Sequence, residues 1–274
     1  MSFLRQSHNV KPERWGSEAD VQYAIAKNSE KIFGVDPDSN VLVMPLFFGF
    51  PCLDYSGKQN HGTPYGGVAY HSGSLDFDGV NDNVGIANNL SLNPLQISIS
   101  AWIKHAGDAS IDAILSKDHN ETGNVQRVWQ FRKDATNKLQ LIVFKADADL
   151  SSVTGATTIA DSTQRFVTGT WDGININVYV DGKRDATPVA YAGSLQQGQT
   201  NNALIGADET GSVGSKTNFF NGLIPDTRIN NIVLTAEQIA LFYARKWDLY
   251  RRVGRTYYSV AAAPSIYIPR IMIF

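Results

Sequence analysis

RFVTGTWDGININVYVDGK, residues 165–183, decides the fold. Apolar and polar residues alternate on both sides of Asp172-Gly173, and Asp181-Gly182 closes the second run. Alternation at period two turns one face of each run toward a core and the other away from it. An Asp-Gly pair between such runs is the strongest short-range hairpin signal, because both central residues of the favoured two-residue turn need positive φ. The segment therefore predicts two successive hairpins.

The same pattern extends in both directions. VLVMPLFF (41–48) is a near-continuous apolar run, as a strand buried on both faces would be. ISISAWIKH (97–105), IDAILSK, RVWQFRK, KLQLIVFK, NALIGA and FFNGLIPDTRIN follow at short spacing. Roughly ten such runs separated by turn residues predict an all-β fold of two packed antiparallel sheets. LDYSGKQNHGTPYGGVAYHSGSLDFDGVNDNVGI (53–86) is crowded with Gly, Asn and Asp, which reads first as tight turns. A helix appears late, in LTAEQIALFYARKWDLY, where Thr235 and Gln238 form a capping box and Ile239, Phe242 and Tyr243 share a face. A weaker helical patch, SEADVQYAIAKNSEKIF, has Ser17 as its N-cap and stops at Gly34 and Pro37. The expected organisation is an N-terminal arm over 1–40, a sandwich with its closing helix over 41–245, and a basic-aromatic tail over 246–274.

Composition narrows the function classes. The chain has 274 residues, 43% hydrophobic and 18% charged, enough to bury a sizeable core. A net charge of -2 gives no global field for nucleic acid. The single Cys52 excludes an intrachain disulfide. The start has no apolar h-region, and no apolar run approaches the ~20 residues of a membrane helix, so neither a signal peptide nor a membrane partner is expected.

The ordered set DYSGKQNHGT, YGG, SLDFDGVNDNV, ISISAWIK, TWDG, NVYVDGK, LIGA and FFNGLIPDTRINNIVLTAEQIALFY resembles the LamG-like jelly-roll domain of the concanavalin A-like lectin/glucanase superfamily, over about Val41 to Tyr243. The resemblance implies a jelly-roll sandwich, and the residues before and after it are expected to form extended N- and C-terminal arms. One departure is Pro225-Asp226, where the family commonly carries a double Asp. The flanks resemble those of proteins encoded by tailed bacteriophages. They imply a virion component assembled in the host cytoplasm, such as a capsid decoration, associating with itself and with capsid proteins. Arg251, Arg252, Arg255, Tyr257 and Tyr258 are the expected assembly residues of the tail. The alternative is a glycan-binding adhesion module.

An enzyme is not expected. Related glucanases carry their acids on one strand as E-x-D-x-x-E, which sets them on one face for retaining hydrolysis. This chain lacks that pattern, and its Glu residues (13, 18, 30, 121, 209 and 237) lie in flanks, loops or the helix. Cys52 reads as a small core residue, and His61 as part of a turn. A structural calcium is the better chemical candidate, since Asp76, Asp78, Asn81 and Asp82 bunch together and hard cations take several such oxygens. The resemblance adds Asp226, giving Asp78 and Asp226 as the expected ligand pair. The competing reading is that Asp78-Gly79 only makes a turn. For sugars, Trp102, Trp129 and Trp171 are candidate platforms, although a Trp in a strand pattern is more often core, and residues 146–164 are expected to be an adaptable loop.

Overall fold

The computed structural model describes residues 17–253 apart from 109, 122–123, 147–148 and 211–213. Two sheets face one another. The first runs Lys183–Arg184, Asn175–Val180, Arg165–Trp171, Ile97–His105, Asn221–Asn230, Leu75–Asp78 and Ala69–Tyr70, with Asn40–Met44 paired to the second half of Asn221–Asn230. The second runs Asp149–Thr158, Lys138–Ala146, Asn124–Lys133, Asp112–Glu121, Ala203–Ile205, Asn83–Ile86 and Gly62–Tyr65. Pairing along both paths is antiparallel. The sandwich expected from the alternation is the fold.

Its core lies between the sheets, where Ile97, Ile99, Val167 and Val178 of one meet Leu115, Phe131, Leu141 and Val143 of the other. Trp129 and Trp171 are wholly buried in this layer. The quoted hairpin forms with one amendment. The two-residue turn is Asp181-Gly182, where φ is 49° and 77° and Val180 pairs with Lys183. At Asp172 the loop is longer, since Trp171 pairs with Ile176 and Asp172 Oδ1 accepts from the amide of Ile174 at 2.7 Å.

The two outer faces differ. That of the first sheet is roofed by a second apolar cluster, in which Val43, Trp102, Phe166 and Tyr179 meet two helices. The helix Glu18–Phe33 carries the Ser17–Asp20 capping box and ends at Gly34 with φ 60°. Its buried stripe of Val21, Ala24, Ile25 and Phe33 explains why this part of the expected arm docks instead of extending. Phe33 stacks on Phe242 of the helix Ala236–Ala244, with ring centroids 4.1 Å apart. The chain beyond that helix stays on the same side: Leu249 and Tyr250 are buried, and Asn28 Nδ2 donates to the carbonyls of Leu249 (3.0 Å) and Arg251 (2.6 Å).

Nor is the whole of 146–164 a loop, because Asp149–Thr158 is a strand paired to Lys138–Ala146. At the sheet margin one face of a strand can stay hydrophilic, and a run of Ser and Thr gave no apolar alternation to read. The stretch 53–86 is architecture: the buried Asp54 carboxylate accepts from the amides of Val43, Ser56 and Asn60, each at 2.9 Å. Cys52 is buried, and burial pushes its thiol up to about 11.

Candidate binding face

Among the described residues, no helix packs on the outer face of the second sheet in the way the pair covers the first. Register places its residues in rows. One row reads Thr63, Gly85, Leu204, Ser116, Gln130, Ile142 and Ser152 across seven strands. The next reads Ala113, Arg132, Gln140 and Thr154. Tyr65, 50% exposed, leans over Gly85, where an added Cβ would lie 3.0 Å from its ring. The ammonium of Lys216 sits 5.1 Å from the centre of that ring.

A hydrogen-bond relay crosses the two rows. Gln130 Nε2 donates to Asp118 and, at 2.7 Å, to Asp208. Gln130 Oε1 accepts from Arg132 Nη1 at 3.1 Å, and Arg132 Nε donates to Gln140 Oε1 at 2.8 Å. Gln140 Nε2 then donates to Thr154 Oγ1 at 3.0 Å. Each amide is used at both ends, so neither can flip without losing a partner. Arg127 flanks the relay, with Nε 2.7 Å from Asp118 Oδ1 and its guanidinium 4.1 Å above the Phe144 ring.

Asp208 reaches this position by a chain reversal. Gly206 has φ 79°, and an added Cβ would lie 2.5 Å from the Phe77 ring. The chain then returns parallel to Asp112–Glu121, with Ala207 O accepting from Ser116 Oγ at 2.8 Å. This return seals the carboxylate pair, whose members are 1% (Asp118) and 0% (Asp208) exposed. Burial first, and then the Asp118 charge, pushes Asp208 up to about 7, and burial likewise raises Asp118. Two carboxylates sharing one amide cannot both ionise cheaply.

The expected calcium pair does not converge. Asp78 is exposed and caps its own turn, accepting from the amides of Val80 (2.8 Å) and Asn81 (3.2 Å). Asp226 is buried with Arg228 Nη2 2.6 Å from its Oδ2, and it accepts from the Tyr250 hydroxyl. Asp78 pairs with Asn221, five positions from Asp226 along one strand, which separates the two by roughly 16 Å. Asp226 thus pins the C-terminal turn to the sandwich, and these two residues do not fit a shared ion.

Among the described residues, the metal-like group is His105, Asp108 and Asp112. The buried ammonium of Lys133 fills it. Lys133 Nζ lies 2.6 Å from Ser110 O, 3.1 Å from Asn137 Oδ1, 3.2 Å from both Asp108 O and Oδ1, and 3.5 Å from Asp112 Oδ2. His105 accepts from the Gly107 amide on Nδ1 at 2.9 Å, so Nε2 carries the proton toward Asp112. Although burial works to raise it, hydrogen bonds from Ser110 and Lys133 hold the Asp108 carboxyl well below the usual range. An internal cation stands where a divalent ion would.

The three tryptophans offer no platform. Trp102 lies under the closing helix, stacked on Tyr243 with Lys246 Nζ 4.0 Å over its ring, and the other two are core. Of the expected assembly residues, Arg251 and Arg252 are exposed, while Arg255, Tyr257 and Tyr258 lie outside the described residues. A cleft of about 350 Å³ opens on the helix-covered side, between the helix Glu18–Phe33 and the loop at Tyr55, Ser56 and Gly57.

A family model described as concanavalin A-like lectin/glucanases superfamily matches residues 78–240. No curated protein matches the chain. Among solved structures, a botulinum neurotoxin type C whose cell entry is described as dependent upon interaction with two ganglioside molecules is similar at TM-score 0.60 and 16% identity, over 76% of this chain and 51% of that one. The binding domain of botulinum neurotoxin DC in complex with SialylT is similar at TM-score 0.58 and 15% identity, over 76% and 52%. The same domain with rat synaptotagmin II gives TM-score 0.59 and 16% identity, over 76% and 52%. The chain spans about half the length of these structures, and likeness at such identity is likeness of fold.

Proposed function

The chain belongs to the concanavalin A-like lectin/glucanase superfamily, and on that premise we propose that it is a non-catalytic glycan-binding module that uses the outer face of its second sheet. The observation that carries this is the relay from Asp208 through Gln130, Arg132 and Gln140 to Thr154. Sugars are recognised by fixed guanidinium, amide and hydroxyl groups beside an exposed aromatic ring. Groups already locked by their neighbours lose little freedom on binding. Tyr65 adds an exposed ring at the far margin of the same sheet, four strands from Arg132.

The buried acids support binding over hydrolysis. A general acid must come within hydrogen-bond reach of the glycosidic oxygen, and Asp118 and Asp208 are buried. The likeness to domains solved with ganglioside and SialylT interactions in view adds support at the level of fold. A virion role, expected from the flanks, would sit on the same sandwich and is not needed for this reading; self-association through the tail stays a proposal beside it.

The test is a glycan array probed with the full-length protein, followed by incubation with each bound sugar and assay for new reducing ends. Retention of a defined set of glycans without hydrolysis is expected. An array without retained glycans, or release of reducing ends, overturns the proposal.

A further inference from the structure

Arg132 differs from its cationic neighbours on this face. Arg127 is spent on Asp118. Arg132 makes no ion pair among the described residues, although it is half-buried. An arginine has five N–H donors, and its two hydrogen bonds, both to neutral amide oxygens, leave three unused. Nη2 is among the unused atoms and is not sealed from solvent. On one side the register neighbour is the small, buried Ala113. On the other, Gln140 holds the plane of the fork from Nε.

A planar guanidinium fixed at two nitrogens, near the Asp118–Asp208 pair but in direct contact with no carboxylate among the described residues, is built for a planar anion taken bidentately. We infer that Arg132 receives the carboxylate of an acidic sugar, a sialic or uronic acid residue, within the glycan-binding face. Thr154, exposed, lies in the row of Arg132 one strand beyond Gln140, and the half-buried Ser152 stands beside it in the other row, placed to meet the hydroxyls of the same glycan. The inference rests on the glycan reading and adds the ligand class.

Titration calorimetry of the full-length protein tests it, with sialyllactose, its methyl ester, a glucuronic-acid disaccharide and lactose. The free acid of one of the two acidic sugars should bind roughly tenfold or more tightly than lactose, a charge-assisted bidentate contact being worth that much. For sialyllactose, esterification should erase the advantage. Arg132→Gln should lower the acidic sugar to the level that the same variant shows for lactose, while Arg132→Lys should keep only part of the preference. If ester and acid bind alike, or if Arg132→Gln keeps the preference in a folded protein, the inference fails and the glycan reading stands. If none of the four sugars binds and an array retains none, both fall. The ester comparison uses unaltered protein, so the result does not depend on a variant that folds.

Discussion

Lys133→Met removes the ammonium that organises the turn between His105 and Asp112. The side chain keeps its length, but the carboxylates of Asp108 and Asp112, the carbonyls of Asp108 and Ser110, and Asn137 Oδ1 lose their shared donor. Removing one partner from a buried ion pair costs about 3–5 kcal/mol, because the opposite charge is left uncompensated. For a domain of this size each kcal/mol moves the melting temperature by roughly 2–4 °C, so a fall of about 6–20 °C is expected. Scanning calorimetry at pH 7 with and without calcium is the assay. Lys133→Ala opens space among the same oxygens, a set suited to a hard cation. Millimolar calcium should therefore restore part of its stability and leave the unaltered protein where it was. A loss below ~1 kcal/mol in Lys133→Met would refute the reasoning. A calcium-dependent rise in the unaltered protein would show that an ion binds elsewhere.

Other expectations follow from the same geometry. The raised Asp208 makes the folded chain hold a proton that the unfolded chain releases above its lower pKa, so stability should fall as pH rises from about 4 toward 7. Asp208→Asn should flatten that part of a melting-temperature profile; an unchanged slope would mean the carboxylate pair does not share a proton. Arg228→Met should cost about 3–5 kcal/mol by stranding Asp226, whereas Arg228→Met with Asp226→Leu should recover much of the loss in a double-mutant cycle. Gly206→Ala should destabilise by roughly 1–3 kcal/mol or more, since a side chain there meets both a positive φ and the Phe77 ring. A chain ending at Ala244 should melt well below one ending at Val253, because only the shorter loses buried Leu249 and Tyr250.

The sandwich was legible in the chain because alternation is local. Leu139, Leu141 and Val143 announce one face of a strand without help from any other segment. Turn chemistry was legible in kind but less so in place: two Asp-Gly pairs look alike, and strand pairing decides which becomes the two-residue turn. The candidate face was hidden for a different reason. Asp118 and Asp208 are ninety positions apart, and they meet only because Gly206 reverses the chain over the face. A search for two acids on one strand could not find them. Arg132, Gln140 and Thr154 form a row through register, which no single segment encodes. The calcium pair failed for the converse reason: Asp226 occupies the expected strand, but Arg228 two residues on gives it a partner. A hint of the Lys133 cage was available in retrospect, as a lysine whose strand alternation directs it inward with Phe131.

The most direct test of the binding face is an amide chemical-shift map of the full-length protein titrated with a glycan retained on the array. Shifts concentrated at Arg132, Gln140, Thr154 and Tyr65 are predicted, with the helix-covered side unmoved. Shifts confined to the cleft between the helix Glu18–Phe33 and Tyr55 would contradict the account and move the site to the opposite face of the sandwich.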